Sequence, residues 1–145
     1  MNAQSNNSNA VPIETHLRQI GFPFTRDSSG NYEISVGIAG GRSQLAVIDA
    51  KIQPVDGGDV IRISSVAYAC DGLISEGIAN SLLAMNSTTT LGAWCIQLDK
   101  EHNRFAAYVA KIALGNSPDL LRFALLEVAD MADDIESKLS GVDQF

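Results

Sequence analysis

Histidine, cysteine and clustered carboxylates are the side chains of this chain that could do chemistry. The chain has two histidines, His16 and His102. A hydrolytic triad needs a nucleophile hydrogen-bonded to a base that a third group orients. His16 falls in a helical stretch and His102 in a polar turn over residues 99–103. Neither is followed by a nucleophile pattern, and a Gly-x-Ser-x-Gly elbow is absent, so both read as exposed or half-exposed histidines. The two cysteines, Cys70 and Cys95, form no Cys-x-x-Cys pair, and each has apolar, strand-like neighbours. Metal binding needs three or four converging ligands. Both therefore read as buried small hydrophobes with reduced thiols. Gly37, Gly40 and Gly41 lack the Gly-x-Gly-x-x-Gly spacing and lead into a strand pattern, so they mark a tight turn rather than a phosphate loop. Asp130, Asp133, Asp134 and Glu136 could be paired acids or cation ligands, but the calcium-loop pattern is absent. They lie off the apolar stripe of their helix, which predicts a solvated face; the functional alternative is a docking surface for a basic partner. These residues lead us to expect no catalytic group, no metal and no cofactor.

The bulk charge narrows the partners. The chain has 145 residues, 17 acidic against 10 basic, and a net charge of −7. Phosphate backbones and anionic membranes need a Lys/Arg surface, so neither nucleic acid nor membrane is expected as a partner. The acidity is uneven: residues 1–70 carry 5 basic and 6 acidic groups (net −1), and residues 71–145 carry 5 and 11 (net −6). Residues 1–9 are polar, without the basic and apolar regions of a signal peptide, and no apolar run reaches membrane-spanning length. The location expected from this is the cytoplasm.

Hydrophobic periodicity supplies the elements. Ile13, Leu17 and Ile20 recur at i, i+4 and i+7, predicting a helix over residues 12–20 that Gly21 stops. Phe22-Pro23-Phe24 reads as an extended, anchored segment. Apolar alternation predicts strands over 32–38, 43–53, 60–70, 91–98 and 104–114, the second with Ala46, Ile48, Ala50 and Ile52 on one face. Asp56-Gly57-Gly58-Asp59 predicts a hairpin turn. A helix over 73–85 has Ile74, Ile78, Leu82 and Met85 on its buried side and Asp71 as its cap. Ser117-Pro118-Asp119 opens a long helix whose Leu121, Leu125, Val128, Ala132, Ile135 and Leu139 form an unbroken stripe, and Gly141 ends it. That stripe predicts packing onto the domain's own sheet. The expected order is α-β-β-β-α-β-β-α. This is an α+β class with a five-stranded antiparallel sheet and three helices, one domain over 11–141 between a disordered tail at 1–10 and a short tail at 142–145.

This order resembles class I type III secretion chaperones and the related YbjN-like family of bacterial proteins. The resemblance spans about residues 13–139. It rests on Gly21-Phe22-Pro23 before the Asp27…Gly30 turn, and on Leu82-Leu83-Ala84-Met85-Asn86 followed by Gly92 and Trp94-Cys95-Ile96-Gln97-Leu98-Asp99. It rests also on Ser117-Pro118-Asp119-Leu120-Leu121 before Ala129-Asp130 and Ala132-Asp133. It implies a non-enzymatic protein that holds a segment of a protein or peptide partner against the first helix and adjoining strands. The partner contacts it implies are Ile13, Leu17, Ile20, Phe22, Phe24, Ile34 and Val36. It also implies a possible homodimer through Ile78, Leu82 and Met85. The YbjN-like alternative implies a regulatory or sensory-transduction domain without chaperone activity.

Overall fold

The computed structural model describes residues 10–56 and 58–140, without the side chains of 10–12 and 140. The elements are α1 (Ala10–Ile20), β1 (Phe24–Arg26), β2 (Tyr32–Gly37), β3 (Ser43–Ile48), β4 (Gln53–Val55), β5 (Gly58–Cys70), α2 (Glu76–Met85), β6 (Gly92–Leu98), β7 (Arg104–Leu114) and α3 (Asp119–Ser140), with a 3-10 turn at Asn86–Thr88. The class is α+β, as expected. The sheet has seven strands, not five, in the order β1-β2-β3-β5-β7-β6, with β4 pairing β5. Every pairing is antiparallel. The added strands, β1 and β4, have three residues each, too short to show alternation.

The expected second strand is two strands. Ile48 faces Ile63 and Gln53 faces Val60, so residues 49–52 lie opposite only Ile61 and Arg62. This is a bulge of two extra residues. It turns Ala50 out to solvent and leaves Ile52 half-buried, against the expectation that both continue the face of Ala46 and Ile48. The expected hairpin turn sits between Val55 and Gly58, with Gly57 outside the described residues.

One sheet face forms the core. Tyr32, Ile34, Val36, Ala46, Ile48, Ile61, Ile63, Tyr108 and Ala110 are all at most 1 % exposed and cluster with α1 and α3. The α3 stripe is buried from Leu121 through Ile135. Burying each large member stabilises by about 1.5–3 kcal/mol. The other sheet face is open, with Leu45, Val66 and Lys111 exposed.

Helix ends follow local chemistry. Gly21, at φ +76°, closes α1: its N–H donates to Arg18 O, and Phe22 N–H donates to Leu17 O. That is the left-handed C-terminal stop that glycine tolerates best. In α2 the cap is Ser75, whose hydroxyl accepts from Ile78 N–H at 3.3 Å, and not the expected Asp71. Gly72, at φ +87°, interrupts the chain between Asp71 and the helix, and Ile74 enters the core before the helix begins. At α3, the Ser117 hydroxyl accepts from Asp119 N–H at 3.2 Å, and the Pro118 carbonyl accepts from Arg122 N–H. The expected N-terminal tail lies outside the described residues except for Ala10, which is helical. The expected Gly141 stop and C-terminal tail lie outside them too.

Candidate functional site

The residues expected to hold a partner do not form an open surface. Ile13, Leu17, Ile34 and Val36 are at most 1 % exposed, inside the core. The apolar stripe of α1 is spent on the molecule's own sheet and on α3, which takes these four out of any docking surface in this conformation. Ile20, Phe22 and Phe24 are half-buried against the same core. Charged groups cover Phe24 and its neighbour Tyr32. Arg18 lies over the Phe24 ring at 5.7 Å, Arg26 lies over Tyr32 at 4.2 Å, and Glu14 pairs with both arginines at 3.4 Å. Phe24 reaches only a shallow recess of 220 Å³ beside Leu45 and Glu33.

Ile78, Leu82 and Met85 are brought together. They form one wall of a groove of about 590 Å³ between α2 and the last turns of α3. Ile135 and Leu139 form the facing wall. Leu82 is buried at its base, and Ile78, Met85 and Leu139 are half-buried. Gly77 and Ser81 keep the space open because they carry little side chain. A cavity of 300–1,000 Å³ lined mainly by apolar groups is the usual form of a binding site.

The groove holds no reaction machinery. The Ser75 hydroxyl caps α2, and the Ser81 hydroxyl donates to Gly77 O at 2.8 Å. Lys138 Nζ is 2.7 Å from Asp134 Oδ2. Neither hydroxyl has a base beside it, as a nucleophile requires. The arrangement can desolvate apolar surface, and its walls belong to an acidic half of the chain. Along α3 run Asp119, Glu127, Asp130, Asp133, Asp134 and Glu136 against Arg122 and Lys138.

The other chemistry-bearing residues have structural partners. His16 is buried, at 6 % exposure, not exposed as expected. Its Nε2–H donates to the Gly115 carbonyl at 2.8 Å, fastening α1 to the loop before α3. His102 is exposed, in the left-handed region at φ +63°. Cys70 and Cys95 are half-buried rather than buried, and unpaired. Among the described residues, no group of three His, Cys, Asp or Glu side chains could hold a metal. None of the described helices is long and apolar enough to cross a membrane.

Asp130, Asp134 and Glu136 are exposed, as expected, and Asp133 is not. Asp133 takes a two-pronged contact from Arg42, Nη2 to Oδ2 at 2.6 Å and Nε to Oδ1 at 3.2 Å. This ties α3 to the turn between β2 and β3. The hydrogen bond from Arg42, with its charge, holds the Asp133 carboxyl below its ordinary pKa despite the opposing effect of burial.

Two further positions carry weight that the sequence reading missed. The Asn86 side chain treats β6 as a neighbouring strand would: Oδ1 accepts from Trp94 N–H at 2.6 Å, and Nδ2 donates to Trp94 O at 3.3 Å. It thereby docks the end of α2 on the sheet edge. Glu127 of α3 accepts from Leu91 N–H at 3.0 Å and from the Tyr108 hydroxyl at 3.1 Å. Burial of Tyr108, then the adjacent Glu127 charge, push the phenol above its ordinary value, so it stays a donor. No local pattern marks either residue: Trp94 lies 8 residues from Asn86, and the partners of Glu127 lie 36 and 19 residues away. Comparison of the chain with protein-family models and with curated proteins finds no match in either.

Proposed function

We propose that this protein is a non-enzymatic protein-binding domain that seats an apolar segment of a partner protein in the groove between α2 and α3. The observation that carries this reading is the groove itself: about 590 Å³, open, with Ile78, Leu82, Met85, Ile135 and Leu139 as its walls. The partner segment is an amphipathic helix whose apolar residues recur every three to four positions and whose flanks are basic, because the exposed acids Glu76, Asp134 and Glu136 adjoin the lining residues in sequence, against Lys138. The resemblance to secretion chaperones supports the same class of function. It had pointed to the α1 face, and the burial of Ile13 and Leu17 favours the α2 side instead.

The test uses a fluorescent amphipathic Leu/Lys peptide and a scrambled peptide of the same composition. A Cβ on Gly77 would meet nothing within 4 Å, so the side chain of Gly77→Leu starts into the open space of the groove. The substitution also removes a helical glycine, which costs about 0.5–1 kcal/mol relative to alanine. The expected result is that wild type binds the ordered peptide over the scrambled one. Gly77→Leu weakens that binding at least roughly tenfold, which is about 1.4 kcal/mol, with no fall in Tm. Equal binding of the two peptides, or unchanged binding by Gly77→Leu, overturns the reading. A dimer in light scattering that Gly77→Leu dissociates would overturn it too, by assigning the groove to a second copy.

A further inference from the structure

We propose that the bulge between β3 and β4 is a binding site for a single phosphate group. The site is independent of the groove and lies on the open face of the sheet. Residues 49–52 arch over a span where β5 offers only Ile61 and Arg62. Under the arch is a recess of about 80 Å³ lined by Lys51, Gln53, Arg62 and Lys111, with Asp49 at its side. A water molecule's share of liquid volume is about 30 Å³. The recess therefore holds one tetrahedral oxyanion, and anything larger attached to it must extend over the sheet.

Its charge is opposite to that of the molecule. Lys51, Arg62 and Lys111 against Asp49 give a local net of +2 in a chain of net −7. Arg62 and Lys111 are direct partners in the β5–β7 ladder. Like charges placed opposite each other in a ladder destabilise a sheet. Asp49, ion-paired with Arg62 at 3.3 Å, offsets part of that cost, and an anion between the two cations removes the rest.

Most of the donors are free, although Arg62 is ion-paired with Asp49. Arg62 uses only Nη1, toward Asp49 at 3.3 Å and Ser64 Oγ at 3.4 Å. Its Nε and Nη2 have no partner among the described residues, and neither Lys51 nor Lys111 is ion-paired with any of them. Arginine's planar fork suits two phosphate oxygens at once, and lysine supplies a mobile point charge. The bulge keeps Lys51 in the lining beside that pair.

The test is a titration with inorganic phosphate followed by amide chemical shifts, with chloride at matched ionic strength as the control. The expected result is saturable shifts confined to residues 49–53, Arg62 and Lys111. The double variant Lys51→Ala/Lys111→Ala, both exposed positions, weakens the affinity at least roughly tenfold with Tm retained, since each tenfold is about 1.4 kcal/mol. A phosphoserine peptide that binds more tightly than free phosphate and competes with it would identify a modified partner as the source. Free phosphate binding the tighter of the two would identify a small ligand. Shifts that do not saturate, that chloride reproduces, or that persist in the double variant overturn the site. Gly77→Leu leaves this binding unchanged, so failure here and failure of the groove are read separately.

Discussion

Leu17→Ala decides whether the α1 face is core or docking surface. Leu17 is fully buried, in one cluster with Ile34, Leu121 and Leu125. Truncating a buried leucine costs about 2–5 kcal/mol, the lost transfer energy plus the cavity left behind. The melting entropy is about 2.1 cal/mol/K per residue, so the chain of 145 residues has about 0.3 kcal/mol/K in total. A loss of about 3 kcal/mol then lowers Tm by about 10 °C. The assay is a far-ultraviolet thermal melt run beside the peptide titration, the latter at a temperature where the variant stays folded. The expected outcome is the fall in Tm with peptide affinity retained. A variant that melts within about 2 °C of wild type and yet loses the peptide would refute the reasoning, because a buried leucine cannot be removed at that cost. The α1 face would then be the docking surface.

Gly92→Ala should be costly at a position that looks innocuous. Its Cβ would fall 2.5 Å from Val109 O and 2.7 Å from Tyr108 Cε1, and one of those is backbone that cannot turn aside. Overpacking of this kind costs about 1–3 kcal/mol, while Gly37→Ala, with nothing within 4 Å of its Cβ, should leave Tm unchanged or slightly raised. Asp133 gives a pH signature. Its folded pKa lies below the ordinary 3.8, so its pair with Arg42 contributes stability fully above that value and loses it as pH falls through the folded pKa. Urea unfolding of wild type and Asp133→Asn should differ at neutral pH, with wild type the more stable, and converge below pH 3.8; a difference that grows on acidification contradicts the pairing.

Whatever repeats along the chain was legible in the sequence. The α3 stripe recurs from Leu121 to Leu139 along a helix of 22 residues, and the alternation of Tyr32, Ile34 and Val36 marked β2 and its buried face. Whatever depends on a distant partner was not. Asp133 sits off the stripe and looks solvated until Arg42 arrives from 91 residues away. His16 looks exposed until the Gly115 carbonyl arrives from 99 residues away. The bulge at 49–52 was hidden for another reason, since Ala50 and Ile52 keep the apolar alternation of a strand that has already ended. The α1 stripe was read correctly as an apolar face. A stripe does not say what covers it, and here the molecule's own core covers Ile13 and Leu17.

The same limit explains why the groove falls where it does. Both of its walls are helical stripes visible in the sequence, Ile78-Leu82-Met85 and Ile135-Leu139. Each stripe predicts a buried face, and the structure buries each only in part. α3 lies across the sheet and is buried there from Leu121 through Ile135, while Leu139 in its last turn is only half-buried. α2 is short, has Leu82 as its buried residue, and contains Gly77. It is held at one end by the Ser75 cap and at the other by the Asn86 bridge to Trp94. A helix fastened at its ends, and along its side by one buried residue, Leu82, leaves an apolar cleft against its neighbour. Elements with few buried contacts are also those that open at low cost. On the proposed reading, the core of α1, α3 and the sheet stays intact while α2 adjusts to the bound segment, which is why binding is proposed on the α2 side rather than the α1 side.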